Sequence, residues 1–407
     1  MKEICYLELM LRKRRHVVFG LFLCFLSLNL VKGQETSQQV LQQKKPYSVS
    51  VGLRQGYDDN IYTSSNNQKG SMTTGIQPSF LINYPLDQTL LSGRYTFDSL
   101  YYWDREGDGW DLSHELVGRI NHSVSERFNL DLRERFRYAQ NPEILDSASA
   151  LQRNGNYINN TASLQGSFQW TPKFGTVTTY TNDLYDYEDE ITKQTNNNMS
   201  QTVNQDLRFL IDPTVTIVTG GIFQDVSYEY ADRSFNVYTG NVGADWTVSP
   251  QVTVSGRVGG QYFDPGDGGS GSTSPYGSLG LNWILGARSS LSANYSHSLS
   301  QTDIATSYAQ ETDTITSTFK YQWTPRFSTS LQGLYTFGSY TTEMEIPNSG
   351  MGDYEENVAT LTLGATYKLN EWLDLDASYT FTNVADDTNR DREYTRNQIS
   401  LGIRGTY

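Results

Sequence analysis

From Tyr47 to the final Tyr407, apolar residues recur at every second position in run after run, and this period of two constrains the chain more than any other feature. Successive side chains of a β-strand point to opposite faces, so each run is a strand with one apolar face. Helical periodicity is nearly absent beyond Gln43. The clearest runs are Tyr47-Val49-Val51-Leu53, Leu164-Gly166-Phe168-Trp170, Val252-Val254-Gly256-Val258, Phe327 to Phe337, Leu361-Leu363-Ala365-Tyr367, Leu373 to Phe381 and Ile399-Leu401-Ile403. They span about ten residues, which suits a tilted strand crossing a bilayer and exceeds the usual globular strand.

The connections separate a soluble sandwich from a membrane barrel. Short turns such as Tyr84-Pro85-Leu86-Asp87, Trp170-Thr171-Pro172-Lys173, Ile211-Asp212-Pro213-Thr214 and Trp323-Thr324-Pro325-Arg326 alternate with long polar loops such as 58–69, 139–155, 188–198, 264–274 and 339–356. Short turns on one side and long loops on the other predict a transmembrane, antiparallel, up-and-down all-β barrel with periplasmic turns and extracellular loops. Counting strands between the connections gives about 18, an even number that leaves both termini periplasmic. Trp170, Trp246, Trp283 and Trp323 stand just before short turns, where an interfacial aromatic girdle belongs. Composition agrees: only 37% of the 407 residues are hydrophobic, and the 28 tyrosines outnumber 17 Phe and 7 Trp together, as suits positions dry at one end and wet at the other.

Residues 1–33 read as an export signal: Arg12 to Arg15 precede an apolar run from Val17 to Val31, with cleavage expected before Gln34. A start at Met10 instead of Met1 would give a more compact basic region. Residues 34–46 form a polar periplasmic tail, too short for a plug domain, and 47–407 form the barrel. Cys5 and Cys24 both lie in the removed segment, so neither a disulfide framework nor a thiolate metal site is expected. Export removes six basic and two acidic residues and takes the net charge from -14 to -18, the wrong sign for a nucleic-acid partner.

If the apolar rows face lipid, the rows between them line the lumen. Leu130, Leu132, Phe136 and Tyr138 then face out, and Asp131, Arg133, Arg135 and Arg137 face in. By the same parity Arg54, Arg94, Arg119 and Arg404 point inward. Closure makes the first and last strands neighbours, so these arginines form a basic stripe on one wall, with Asp98, Glu115, Asp131, Asp374 and Asp376 nearby. Such a stripe could steer polar or anionic solutes. The plainer reading, that Arg and acid simply pair and keep the lumen polar and rigid, is equally open.

The loops are acidic. Their carboxylates could hold divalent cations shared with lipopolysaccharide, or could be ordinary solvated loop tips, which is the favoured reading. Asp104, Glu106, Asp108, Gly109 and Glu115 match calcium-loop positions 1, 3, 5, 6 and 12, but the flanks are strands and position 3 is Glu, so the match is weak. No other metal site and no cofactor motif is evident. Nor is an enzyme expected: no nucleophile elbow, zinc motif, phosphate loop or dinucleotide fingerprint occurs. His114, His122 and His297 share lipid-facing rows with Leu112, Leu116, Leu291 and Leu299.

The segment Gly56-Tyr57-Asp58-Asp59-Asn60-Ile61-Tyr62 resembles the opening motif of the type-two β-barrel porin family of Gram-negative outer membranes. Tyr407, preceded by alternating Leu401 and Ile403, resembles the carboxyl-terminal signal read by the barrel assembly machinery. The resemblance implies a pore in the outer membrane, surrounded by lipid and lipopolysaccharide, and suggests a link to exopolysaccharide export along lumen Tyr and Arg. The competing expectation is a barrel occluded by its loops that acts as a surface-binding adhesin or scaffold.

Overall fold

The computed structural model describes residues 46–140, 156–231, 233–265, 271–301, 309–340, 354–386 and 392–407. The expected export signal and all but the last residue of the polar tail lie outside the described residues. The strands are β1 (Tyr47–Asp58), β2 (Ser71–Pro85), β3 (Thr89–Tyr102), β4 (Trp110–Ser125), β5 (Phe128–Ala139), β6 (Tyr157–Thr171), β7 (Phe174–Tyr187), β8 (Asn198–Asp212) and β9 (Val215–Tyr228). They continue as β10 (Phe235–Ser249), β11 (Val252–Pro265), β12 (Ser272–Gly286), β13 (Ser289–Gln301), β14 (Ala309–Gln322), β15 (Phe327–Tyr340), β16 (Tyr354–Lys368), β17 (Leu373–Asp386) and β18 (Tyr394–Thr406). One short helix, α1 (Glu190–Asn196), sits between β7 and β8.

Every strand pairs antiparallel with its sequence neighbours, and β1 also pairs with β18, closing a single 18-stranded sheet. Closure leaves no sheet edge, so the backbone groups that a bilayer cannot hydrogen-bond are paired between strands, with the β2–β3 ladder interrupted at Gln77 and Pro78. The outward rows are exposed and apolar, among them Val49, Val51, Leu53, Leu279, Leu361, Leu363, Ile399 and Leu401. In water such a surface would aggregate; in lipid it is the solvated face. This is an outer-membrane β-barrel that crosses the bilayer many times.

Two rows of polar-tipped aromatics bracket the apolar belt. At the turn end Trp170, Trp246, Trp283 and Trp323 are between 41% and 55% exposed, as the girdle expectation requires. The sequence Trp-Thr-Pro-x-Phe-x-Thr occurs twice with one geometry: the Trp170 and Trp323 indoles donate to Thr176 and Thr329 at 3.1 and 3.0 Å. In each case the turn threonine accepts the two following amides, Thr171 from Lys173 and Phe174 and Thr324 from Arg326 and Phe327. At the loop end the hydroxyls of Tyr180, Tyr295, Tyr335 and Tyr379 donate to Gln201, Asp313, Asn357 and Asn397 at 2.6 to 3.1 Å, and Tyr95 meets His114 at 2.8 Å. Each partner sits two residues beyond the tyrosine's in-register neighbour on the next strand, towards the loops. The repeated diagonal places a ring of polar tips at the loop-end border of the apolar belt.

That border explains two departures from expectation. The strands run 12 to 16 residues, longer than the ten expected, because they continue past the tyrosine ring into the extracellular space. Leu299, expected in a lipid-facing row, is buried instead with Val226, Phe235, Val237 and Phe263. Beyond His297 the register of β13 with β12 has ended, and the Leu299 amide donates to Gln261 at 3.2 Å.

The motif at Gly56–Tyr62 clasps the seam between β1 and β18. A Cβ on Gly56 would lie 2.7 Å from the Ile399 carbonyl oxygen, so only glycine allows this approach. Asp58, almost fully buried, accepts from Arg396 Nε at 3.0 Å and from Gln398 at 3.0 Å. Asp59 takes the Asn397 backbone and side-chain amides at 2.7 Å each, and Asn60 donates to the Thr395 carbonyl at 2.9 Å. Asp58→Ala leaves Arg396 buried without its carboxylate and is expected to cost about 3–5 kcal/mol in urea unfolding of the refolded barrel. Replacing Asp58 and Arg396 together by Leu and Met should cost less than the single change, which the same titration would show.

Candidate functional site in the lumen

Alternation along each strand sends one row into the lumen, and all seven expected arginines are on it. Arg54 crosses β2 and donates both to Asp98 Oδ1 and Oδ2 on β3, at 2.8 and 2.7 Å. The crossing needs Gly75, whose added Cβ would stand 2.7 Å from Arg54 Nε. Arg94 and Arg135 converge on Glu115 at 3.5 and 3.4 Å. Asp131 is a buried hub: Arg133 Nε donates to it at 2.8 Å, Arg119 grips both of its oxygens, and Asn121 adds a bond at 3.2 Å. Arg404 donates to Asp376 at 2.6 Å and stands in register with Asp374, while Arg137 stands in register with Glu115.

The stripe is therefore not bare. Seven guanidiniums on β18, β1, β3, β4 and β5 face five carboxylates, Asp98, Glu115, Asp131, Asp374 and Asp376, which leaves an excess of two positive charges on this wall. The pairs fix the side chains in place. The pairs differ in depth. Arg94 and Arg404 are about half exposed and their contacts are screened by water, whereas Asp131 and Arg119 are sheltered and strongly coupled.

A second cluster lies on the far side of the ring. Arg208 on β8 and Arg257 on β11 hold the two oxygens of Asp245 on β10 at 2.5 and 2.8 Å. The parity rule that located the first wall also places these residues inward, since Arg208 lies between Leu207 and Phe209 and Arg257 between Gly256 and Val258; the sequence reading passed over them. Beside this cluster, at the periplasmic end of β4 to β9, a cavity of about 720 Å³ is lined by Asn129, Gln169, Lys173, Arg208, Leu210 and Thr216 among others.

The loop end of the lumen is different. The last inward positions of nearly every strand are buried, including Ser71, Tyr102, Ala139, Tyr157, Tyr185, Tyr187, Val226, Tyr228, Phe235, Gln310, Val358 and Val384. Further pairs stiffen this rim: Arg105 with Asp111 at 2.6 and 2.8 Å, its guanidinium 4.0 Å from the Tyr102 ring centroid, and Arg392 with Glu356 at 2.9 Å. Most inward tyrosines thus form a packed layer at the mouth, with Tyr276 on β12 partly exposed below it, in register with Gly259. The inward rows are packed at the loop end, whereas the charged pairs lie on the rows nearer the turns.

The calcium-loop expectation is overturned by placement. Glu115 points into the lumen between Arg94 and Arg135, Glu106 pairs with Lys69 at 2.9 Å, and Asp108 accepts the Trp110 amide at 3.0 Å. A strand carries its residues away from the loop, whereas the EF-hand's exit helix brings its twelfth position back. Among the described residues no cluster of three or more His, Asp or Glu side chains could hold a metal ion. The histidines sit on the outer face as expected: His114 packs against Phe97 at 4.9 Å, His122 meets Thr89 at 2.8 Å and His297 meets Asp313 at 3.0 Å.

No known family and no curated protein matches the chain. Solved structures of similar outline include OpdK from Pseudomonas aeruginosa with vanillate, at TM-score 0.47 and 10% identity over 89% of this chain and 99% of that one. OccK2 (OpdF) of the same organism scores 0.47 at 10% identity over 88% and 98%, and its siderophore receptor PirA scores 0.42 at 9% over 90% and 81%. Likenesses this distant carry no functional argument, and the barrel assignment stands on the strand pairing itself. The resemblance to type-two porins likewise rests on the Gly56–Tyr62 motif, for which the seam clasp supplies a physical role.

Asp131→Asn leaves Arg119 and Arg133 around a neutral acceptor and should lower unfolding stability by about 1.5–3 kcal/mol in a urea titration. At the rim, Asp189 caps α1: the Thr192 amide and hydroxyl both donate to its carboxylate at 2.9 Å and hold it below the usual carboxylate range. A depressed folded value means that the cap is intact above the ordinary Asp pKa of about 3.9 and is lost as pH falls through the lowered one. Hydrogen exchange of the Thr192 amide should therefore accelerate, beyond the intrinsic pH effect, only below about pH 4, and Asp189→Ala should show the fast rate at neutral pH.

Proposed function

We infer that this barrel is a porin-like channel that passes small polar solutes with a preference for anions. The observation that supports this reading is the lumen wall itself, where seven ordered guanidiniums outweigh five carboxylates inside a closed membrane barrel. Fixed charge at close quarters in a restricted lumen raises the local concentration of the opposite ion and orients dipolar solutes. The pairs matter as much as the excess, because a guanidinium already held by a carboxylate keeps its position and spends its remaining donors on a passing solute. The opposite cluster of Arg208, Arg257 and Asp245 adds a transverse partner across the chamber.

The buried layer at the mouth favours a narrow route and small cargo, and the absence of inward tyrosines along the described part of the lower lumen removes the slide that a polysaccharide chain would use. No observation assigns chemistry to the barrel beyond passage. The test is single-channel conductance of refolded protein in planar bilayers, with reversal potential under a salt gradient. Wild type should show steady ohmic steps with anion preference, and Arg133→Ala/Arg135→Ala/Arg137→Ala should lose most of that preference while still conducting. A folded barrel that inserts silently would overturn the channel and leave the loop-occluded surface barrel in its place.

A further inference from the structure

The least expected charge in the molecule is at the mouth. Arg233, in the loop between β9 and β10, is only 1% exposed, and its side chain is the largest of those fully buried. Its guanidinium carbon lies 4.0 Å from the ring centroid of Tyr228, an inward residue at the loop end of β9. From there it donates to the Thr195 carbonyl at 2.7 Å and to Asn196 Oδ1 at 2.8 Å, both at the carboxyl end of α1. A cation there meets the negative pole of the helix and satisfies a carbonyl that the helix itself leaves open.

The helix it grips cannot stand alone. Seven residues are too few for a stable isolated helix in water, so α1 persists only while its ends are held. One end has the Asp189 cap. The other is tied to β7 by Asn197, which accepts the Tyr187 amide at 2.8 Å and donates to Asp186 at 2.7 Å, and to the neighbouring loop by Arg233. Thr192, Asn196 and Arg233 join Tyr185, Tyr187 and Tyr228 in one buried layer at the β7 to β10 sector of the mouth.

We propose that Arg233 is a latch, holding α1 and the β9–β10 loop together so that this sector of the mouth is closed until the contact is released. The proposal rests on the channel reading only for its purpose; the closure itself is a property of the rim. Releasing the guanidinium frees the helix end, the short helix melts, and the layer over Tyr185 and Tyr228 opens to the outside.

The test places a reporter beneath the layer. Ser200 on β8 is inward and buried, and Ser200→Cys in the full chain can be labelled on intact cells with a membrane-impermeant maleimide. Labelling should be slow with Arg233 in place and about tenfold faster with Arg233→Ala, the factor expected for losing a charged hydrogen bond. Tyr228→Leu, which removes the stacking face and keeps the hydrogen bonds, should give a smaller rise, and heat-modifiable mobility checks that each variant is a folded barrel. Lys69→Gln, on another loop, should change nothing. Equal rates in the Arg233 and Tyr228 variants and the latch-intact protein, or an equal rise in Lys69→Gln, would overturn the latch. Bilayer recordings of the same proteins separate the two readings: fast labelling without conductance sinks the channel and keeps the latch, whereas conductance unchanged by Arg233→Ala alongside slow labelling sinks the latch alone.

Discussion

Everything in this molecule depends on the bonding of β1 to β18. An open 18-stranded sheet in lipid would carry two edges of unsatisfied amides and carbonyls, each costing several kcal/mol, and only closure removes both. The chain closes at the point of greatest sequence separation, where loop-closure entropy is largest. It is there that the sequence concentrates its most specific contacts: Asp58 on Arg396 and Gln398, Asp59 on Asn397, Asn60 on Thr395, and a glycine where the two backbones touch. Backbone pairing alone tolerates slippage by two residues, since such a slip keeps every side chain on its face. A buried ion pair between the two ends tolerates none.

Closure also assembles the charged wall. Strands far apart in sequence become neighbours, so Arg404 and Asp376 near the carboxyl end share a wall with Arg54 and Asp98 near the amino end. Each carboxylate there answers one or two guanidiniums, and the unequal numbers leave a positive remainder. On the opposite wall Arg208 and Arg257 share Asp245, with Asp206 beside them, so that cluster balances its charges. At the rim, by contrast, the charges are buried and engaged in tight pairs. The molecule thus separates charged inward rows nearer the turns from a packed mouth.

Much of this was legible in residue order. Strand existence, parity, the short turns and the Trp girdle follow from local rules, because a period of two and a Trp-Thr-Pro turn need no distant partner. The seven lumen arginines followed from parity alone. Their pairing did not, since Arg54 reaches Asp98 across an intervening strand at a glycine, a contact that depends on register and on what the middle strand lacks. The calcium spacing misled for a related reason: sequence distance from Asp104 to Glu115 matches an EF-hand, but a strand rises about 3.3 Å per residue and carries Glu115 out of reach. Arg208, Asp245 and Arg257 obeyed the parity rule and were passed over because they are dispersed along the chain.

The sequence by itself determined the class of object, an up-and-down sheet of long one-face-apolar strands joined alternately by short turns and long loops, because alternation and turn chemistry are local properties. What tertiary structure decided was which charges meet, which inward rows pack at the loop end and which loop residues become buried. Those outcomes depend on strand register, shear and closure, which are set by the sum of all strand pairings and are written in no single stretch of the chain.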